Sequence, residues 1–464
     1  MEVLQQMADK PKRTTFRTRL EEMIAILRND ILTGKLQPGD FLPSELTLTE
    51  QFQLSKNSVR KGLEELLDQE MIEKVPRVGT RVVGSGLNAK LTLKFGYYPT
   101  LILEANLLQL IDDFQLSFPH IVVQMVPISD SVFSSNPKEA LDRDAFDLIT
   151  LNNHHYGLCK DNEAIMDMLE PLRPKENTYP FLFRPFTEAN NLYVQPFTFS
   201  PIVLCYNKEH FKEAKLLEPD SSWNWHDVQQ AALTLTKKRD RIGLFFHLQS
   251  INRWPLFLLQ NKVVFERDAQ GKLILDNENF RESMKMSLQL FEGMNAGSLY
   301  MSENDSDSEM YFSQQKASMI VTSYYSLNHL LKADFDYDIA PLPYSQEART
   351  QLIIIGLAIN KSSKQKEAAQ ALIDYLVSEE TQLHIRKNSL SIPSIKTMAE
   401  WTGEESFARP SRFMLYRDII PTFRFYSDMN VTFHELETMR RIFKLYWARL
   451  DNFETVLRRL EEAL

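Results

Sequence analysis

Residues 40–82, DFLPSELTLTEQFQLSKNSVRKGLEELLDQEMIEKVPRVGTRV, constrain the fold more than any other stretch of this chain. They hold two short helical patterns followed by a strand pair with a basic tip. The first helix opens at Ser44, a good N-cap just after Pro43. Its apolar residues Leu46, Leu48 and Phe52 are only loosely periodic. The second opens at Ser55, and Val59, Leu63, Leu66 and Leu67 recur at i, i+4, i+7 and i+8, so one face must be buried. The opposite face at its start carries Lys56, Asn57, Ser58, Arg60 and Lys61, with no acid before Glu64. Arg77-Val78-Gly79-Thr80-Arg81 reads as a hairpin tip. A helix, a tight turn, a helix with a basic N-terminal face and a basic hairpin make a winged helix-turn-helix, an α+β unit. Its second helix enters the DNA major groove and its wing touches backbone or minor groove.

The predicted DNA contacts are Ser55, Lys56, Asn57, Ser58 and Arg60 on the second helix, Arg77, Gly79 and Thr80 in the wing, and Ser44 and Glu45 at the first helix start. An exposed Arg there can reach phosphate or a guanine edge; the plain alternative is a solvated charge. Glu45 also simply favours the helix dipole. Residues 20–83 resemble the DNA-binding domain of the GntR family of bacterial transcription regulators. The matching residues are Gly34 to Asp40, Leu42-Pro43-Ser44-Glu45, Ser55 to Arg60, and Gly79-Thr80. The run PGDxLPSE followed by SxxxVR is much more specific than a generic helix-turn-helix pattern. Leu46 and Lys56 depart from the family's usual residues, which bears on the operator sequence and not on the fold.

At 464 residues the chain is long enough for more than one domain. Its 43% hydrophobic and 25% charged content is that of an ordinary globular protein, and no apolar run approaches a membrane span. The N-terminus lacks the apolar core of a signal peptide, and two cysteines, Cys159 and Cys205, cannot build a disulfide framework, so a cytoplasmic location is expected. The net charge of −9 is not carried by the first 85 residues, which hold thirteen basic and thirteen acidic side chains. Residues 1–16 read as a disordered basic arm, 17–83 as the DNA-binding domain and 84–90, GSGLNAK, as a linker.

Residues 91–464 form a second, larger unit, in which strands at 91–97, 121–126, 146–151 and 202–206 alternate with helices at 103–117, 226–238, 280–293, 364–377 and 434–463, the pattern of an α/β sheet. The segment resembles the maltose-binding-protein-like extracellular solute-binding proteins. The resemblance rests on ordered motifs: Phe114 with Phe118-Pro119-His120-Ile121, Phe146-Asp147-Leu148-Ile149, Leu169-Glu170-Pro171-Leu172, Pro196 to Phe211, Trp223 to Val228, Phe312 to Met319, Asp338 to Pro343, Leu357 to Lys361, and Ser378 to Gln382 with Ile392-Pro393. It implies a periplasmic-binding-protein-like fold of two α/β lobes, hinged near 196–201 and 341–352, with a small molecule in the cleft. Fused to a DNA-binding head, such a domain implies a cytoplasmic sensor of a sugar or oligosaccharide that controls carbohydrate uptake or metabolism genes, working as a homodimer on a palindromic operator.

A flat ring matches the C–H face of a sugar, so Trp254, Tyr324 and Tyr325 are the expected stacking residues, with Tyr98, Asn152, Asn153 and Phe199 at cleft-facing strand ends. The competing reading makes these rings core. Trp223 and Trp225 pack at a helix start. His154-His155 with Cys159 lacks the partners of a zinc site, and the acidic run Glu303 to Glu309 reads as a solvated face. No phosphate loop, nucleophile elbow or metalloprotease helix is present, so neither a cofactor nor an enzymatic activity is expected. Two alternatives stay open: a pyridoxal-phosphate-dependent domain, and a large domain that serves dimerisation or partner docking and senses no sugar.

Overall fold

The computed structural model describes residues 16–32, 35–76, 78–83, 90–129, 145–161, 165–237, 240–290, 302–405 and 407–464. Residues 1–15 of the arm expected at 1–16, most of the linker and Arg77 lie outside the described residues, while Phe16 opens the first helix.

The head comprises α1 (Phe16–Leu32), α2 (Glu45–Phe52), α3 (Lys56–Asp68) and a hairpin of β1 (Ile72–Val75) and β2 (Gly79–Val82). Both helix starts expected from sequence are capped by serine hydroxyls. Ser44 accepts from Thr47 N at 3.1 Å and Ser55 from Ser58 N at 3.2 Å. Gln53, left-handed at φ 53°, ends α2 and makes the tight turn. Met23, Ile24, Leu27 and Ile31 of α1 pack with Leu48, Phe52, Val59, Leu63 and Leu66, closed by Ile72 and Val82 of the wing. Each fully buried Leu or Val contributes about 1.5–3 kcal/mol. At Gly62 a Cβ would lie 2.4 Å from Met23 Cε, so glycine permits the close approach of α1 and α3. Gly79 sits at φ +149°, and the wing pairs Ile72 with Val82 and Val75 with Gly79.

The large unit is built on β3 (Leu91–Tyr97), β4 (Ile121–Pro127), β5 (Leu148–Asn152), β6 (Gln195–Asn207), β7 (Ile242–Phe245), β8 (Ala317–Ser323), β9 (Tyr337–Ala340) and β10 (Thr350–Ile359). They belong to a ten-stranded sheet ordered β4-β3-β5-β10-β6-β8-β7, with β9 and two short strands paired off this path. The strand expected at 202–206 is the end of a longer one. All 13 residues of β6 are buried, and a strand covered on both faces loses the alternation that would mark its length. Through Pro201 it pairs with β10, and from Ile202 it pairs with β8 and β9. One strand thus runs through both halves of the sheet.

The helices that position the site are α4 (Leu101–Glu104), α5 (Leu107–Ser117), α6 (Asn153–Asp161), α7 (Trp225–Leu235), α8 (Pro255–Gln260), α9 (Glu278–Gln289), α10 (Ser306–Ser313), α11 (Lys366–Leu376), α12 (Phe433–Trp447) and α13 (Phe453–Ala463). The single helix expected at 103–117 is two, divided at Asn106, which is left-handed at φ 53°. The long C-terminal helix is also two. Arg449 turns left-handed at φ 57°, and Asn452 caps α13 by accepting from Thr455 N at 2.9 Å. Trp225 is the first residue of α7 and is buried, its Nε1 donating to Gln260 at 2.7 Å.

Candidate functional site

Two cavities in the large unit share a wall made by Asn152, Asn252, Asn304, Asp305 and Ile353. The larger, about 500 Å³, is completed chiefly by Tyr98, Thr100, Glu104, Arg253, Ser323, Tyr325, Ser326 and His329. The smaller, about 290 Å³, is completed chiefly by Asn153, His154, His155, His247, Gln249, Ser250, Glu303, Glu437 and Arg440. Tyr98 follows β3, Asn152 ends β5, and Ser323 ends β8. The lining therefore gathers at the carboxyl ends of strands, the usual place for a ligand in an open α/β sheet. A third groove, about 680 Å³, is lined by residues 170–176, Ile359 and α11, and holds two ion pairs: Lys366 with Glu170 at 2.7 Å and Lys175 with Asp374 at 3.7 Å.

The shared wall is held by a dense set of polar contacts. Tyr98 OH accepts from Asn152 N at 3.1 Å and bonds His155 Nδ1 at 2.6 Å. Asn152 Oδ1 accepts from His155 N at 2.7 Å, tying the end of β5 to the start of α6. Asn153 bridges to β10, donating to Leu352 O at 3.2 Å and accepting from Ile354 N at 2.8 Å. On the opposite side Asn252 Oδ1 accepts from Gln351 Nε2 and Tyr426 OH, each at 3.0 Å. Ser250 Oγ donates to Asp305 Oδ2 at 2.8 Å, and Arg253 Nη2 lies 3.9 Å from Asp305 Oδ1. Burial pushes the Glu104 carboxyl up to about 7, against the pull of its bond from Thr100. Burial also lowers His154 to about 4 and takes His155 well below the ordinary histidine range, so both are neutral near pH 7.

Of the seven residues expected at the ligand, Tyr98, Asn152 and Tyr325 line the larger cavity and Asn153 the smaller, Tyr325 being oriented by a 3.1 Å bond between its OH and Thr198 Oγ1. The other three are corrected to core positions. Trp254 is 1% exposed and packs on Phe443 and Trp447 of α12, with ring centroids 6.3 and 6.1 Å away. Tyr324 is fully buried, donating to Phe413 O at 3.0 Å and accepting from Tyr416 N at 3.2 Å. Phe199 lies edge-on to Tyr179, Phe181 and Tyr416. Tyr324 and Tyr325 both follow β8 in a turn, which sends Tyr324 to Phe413 and Tyr416 and Tyr325 to Thr198 beside the cavity. The acidic run also differs from its solvated reading: Asp305 lines both cavities, and Ser308 and Glu309 are 1% exposed. Glu104, Ser250, Asn304, Glu437 and Arg440 carried no motif; Asn252 and Arg253 were signalled only by their place beside Trp254.

In the head, Lys56, Asn57 and Arg60 are exposed on the first turns of α3, and Ser55 is exposed at its cap. Ser58 is 5% exposed, its hydroxyl 2.7 Å from Ser55 Oγ, so it belongs to the capping structure rather than to the open face. Arg60 Nε donates to Glu45 Oε2 at 2.9 Å. Ser44 and Gly79 are exposed and Thr80 half-buried. Lys74 and Arg81 add exposed positive charge to the wing, Arg81 pairing across it with Glu73 through Nε at 2.8 Å.

Two family models match the chain: bacterial extracellular solute-binding protein over residues 100–383 and bacterial regulatory proteins, gntR family, over residues 20–82. The chain belongs to the bacterial extracellular solute-binding protein family. Its head, residues 20–82, matches the gntR family model and is a GntR-type DNA-binding domain joined to the solute-binding domain. The head is 37% identical over 62 residues to the mannosyl-D-glycerate transport/metabolism system repressor MngR of Escherichia coli, covering 13% of this chain and 26% of that protein. The solute-binding domain is 23% identical over 235 residues to the sn-glycerol-3-phosphate-binding periplasmic protein UgpB of Escherichia coli, covering 48% of this chain and 53% of that protein. The chain thus spans about half or less of the length of these curated relatives. An ABC transporter solute-binding protein from Thermotoga lettingae bound with α-D-tagatose superposes with a TM-score of 0.69 at 18% identity, over 80% of this chain and 98% of that one. The solute-binding domain therefore has the two-lobed, maltose-binding-like fold. Neither matched family is enzymatic. No described helix is long and apolar enough to cross a membrane.

Proposed function

We propose that this regulator senses a sugar, an oligosaccharide or a similar polyol in the cleft of its solute-binding domain and controls carbohydrate uptake or metabolism genes from the cytoplasm. The observation that carries this reading is the paired cavity, whose walls present hydroxyl, amide and carboxyl groups from converging strand ends. Oriented hydrogen-bonding groups set beside the apolar surface of Tyr98, Tyr325, Ile353 and Ile355 suit a polyhydroxylated ligand. Two relatives support it: the matched repressor is named for mannosyl-D-glycerate transport and metabolism, and the superposed binding protein is bound with α-D-tagatose. Tyr98, Asn152 and Tyr325 are the proposed ligand contacts. Arg60, Lys56 and Asn57, with Ser44, Ser55, Gly79 and Thr80 placing backbone, are the proposed DNA contacts, with Glu45 orienting Arg60.

A single small basic helix offers few contacts, so a homodimer on a palindromic operator, with half-sites about one helical turn apart, completes the proposal. If the ligand changes operator affinity, the operator must change ligand affinity by the same factor. The test screens a sugar panel by thermal shift, then titrates each hit calorimetrically with and without operator DNA selected from a random pool. Unequal affinities are expected; equal ones would reject ligand control of DNA binding.

A further inference from the structure

The charge of the ligand is open, because the matched periplasmic relative is named for an anionic ligand, a glycerol phosphate, while the superposed protein holds an uncharged sugar. Proteins hold phosphate with lysine or arginine side chains free to fork onto it, or with open helix N-termini. Among the described residues no lysine lines either cavity. Arg253 has a side chain only 2% exposed, and its guanidinium is spent on neighbours: Nε donates to Val321 O at 3.2 Å, Nη1 to Asn252 O at 3.3 Å, and Nη2 faces Asp305. Arg440 turns back on Glu437, one helical turn earlier in α12, with Nε 2.8 Å from Oε2.

The helix starts at the cavity are occupied as well. Asn152 takes the His155 N–H at the start of α6. At α10, Asn304 takes the Ser306 N–H through Oδ1 at 3.0 Å, and Asp305 O takes that of Ser308 at 3.1 Å. Glu104 is the opposite case. The residue is 9% exposed at the wall of the larger cavity, and its carboxyl accepts from Thr100 Oγ1 at 3.1 Å and has no cation within ion-pair distance among the described residues. The lining carboxyls Glu104, Glu303, Asp305 and Glu437 outnumber the two guanidiniums.

We infer that the cleft takes a polyhydroxylated ligand without an anionic group and rejects phosphorylated sugars, with Glu104 as the residue that enforces the choice. This rests on the cleft being a sensing site. A phosphate entering it would find, among the described residues, both lining guanidiniums and these N–H groups at α6 and α10 already engaged, and would meet an unpaired carboxyl where screening is weak. Hydroxyl or amino groups suit Glu104 in either protonation state, as acceptors from the acid form or donors to the carboxylate.

Calorimetric titration of the full chain against matched probes tests this: glucose and glucosamine against glucose 6-phosphate, glycerol against sn-glycerol 3-phosphate, and maltose and D-tagatose beside inorganic phosphate. The expected result is that a neutral or amino probe binds at least tenfold tighter than its phosphate, and that Glu104→Gln narrows this ratio. A phosphate ester binding as tightly as its neutral partner, or inorganic phosphate raising Tm above chloride at equal ionic strength, overturns the inference and leaves ligand sensing standing. If no probe binds the wild type or Glu104→Gln, the sensing reading fails and this inference falls with it.

Discussion

Arg60 Nε and Glu45 Oε2 stand 2.9 Å apart, linking the start of α2 to the exposed face of α3. Both side chains reach solvent, Arg60 at 54% and Glu45 at 33% exposure, so the pair contributes little to stability, within about 1 kcal/mol. Its consequence is for DNA: it fixes the direction of the guanidinium and offsets part of its charge.

Arg60→Ala should therefore weaken binding to a selected operator by about 1–3 kcal/mol, the range for a base-reading arginine, with the Tm of the head unchanged. Glu45→Gln should leave folding intact and steepen the salt dependence of binding by about one unit of log–log slope as Arg60 is released toward phosphate. Fluorescence anisotropy across a salt series measures both. Unchanged affinity for Arg60→Ala at physiological salt would remove α3 as the reading helix.

Trp254→Ala and Tyr325→Ala should separate cleanly. Trp254 lies between α8 and α12, so truncation should cost about 3–5 kcal/mol of stability while ligand affinity per folded molecule stays normal. Tyr325 faces the larger cavity, and its loss should weaken the response to any sugar that binds by about 1–3 kcal/mol. Denaturation curves read beside ligand titrations distinguish the two; a ligand defect in Trp254→Ala at full folding would return that ring to the site.

Glu309 gives a pH signature. Burial raises its carboxyl from 4.5 to about 7, so the folded state holds a proton that the unfolded chain has released. Stability from this group is complete below about pH 4.5 and falls as pH rises through about 7. Relative to Glu309→Gln, the wild type should lose about 3 kcal/mol over that window. Histidines common to both proteins cancel in the difference. Thermal unfolding of the two proteins from pH 4.5 to 7.5 measures it, and parallel curves would show that Glu309 titrates normally.

Gly243→Ala and Gly62→Ala probe the two units separately. A Cβ at Gly243 would sit 1.9 Å from Ala232 O, in the backbone of α7, whereas at Gly62 it would meet the flexible end of Met23. The first should destabilise the solute-binding domain by about 3 kcal/mol or more, and the second should cost the head about 1 kcal/mol. Hydrogen exchange resolved by domain reads each effect.

The head was legible from the chain because its determinants are local. Ser44 and Ser55 cap the helices they precede, Val59, Leu63 and Leu66 repeat at helical spacing, and Gly79 sits where the wing needs it. Ordered motifs likewise gave the solute-binding fold, since strand and helix alternation is written in periodicity. Boundaries were less legible where tertiary burial overrides pattern: β6 hides its length by being covered on both faces, and Asn106 and Arg449 divide helices whose apolar spacing runs on.

The identity of the cleft wall was decided only in three dimensions. Trp254, Tyr324 and Phe199 have the composition of sugar-stacking rings, yet the space beside them is filled by Phe443, Tyr416 and Phe181 from distant parts of the chain. Glu104, Asn252 and Asp305 look like ordinary surface residues along the sequence and become a site because strand ends and helix starts from separated segments converge on one cavity. Which face of a strand-end residue meets that cavity depends on packing across the sheet, a long-range fact that spacing along the chain does not encode.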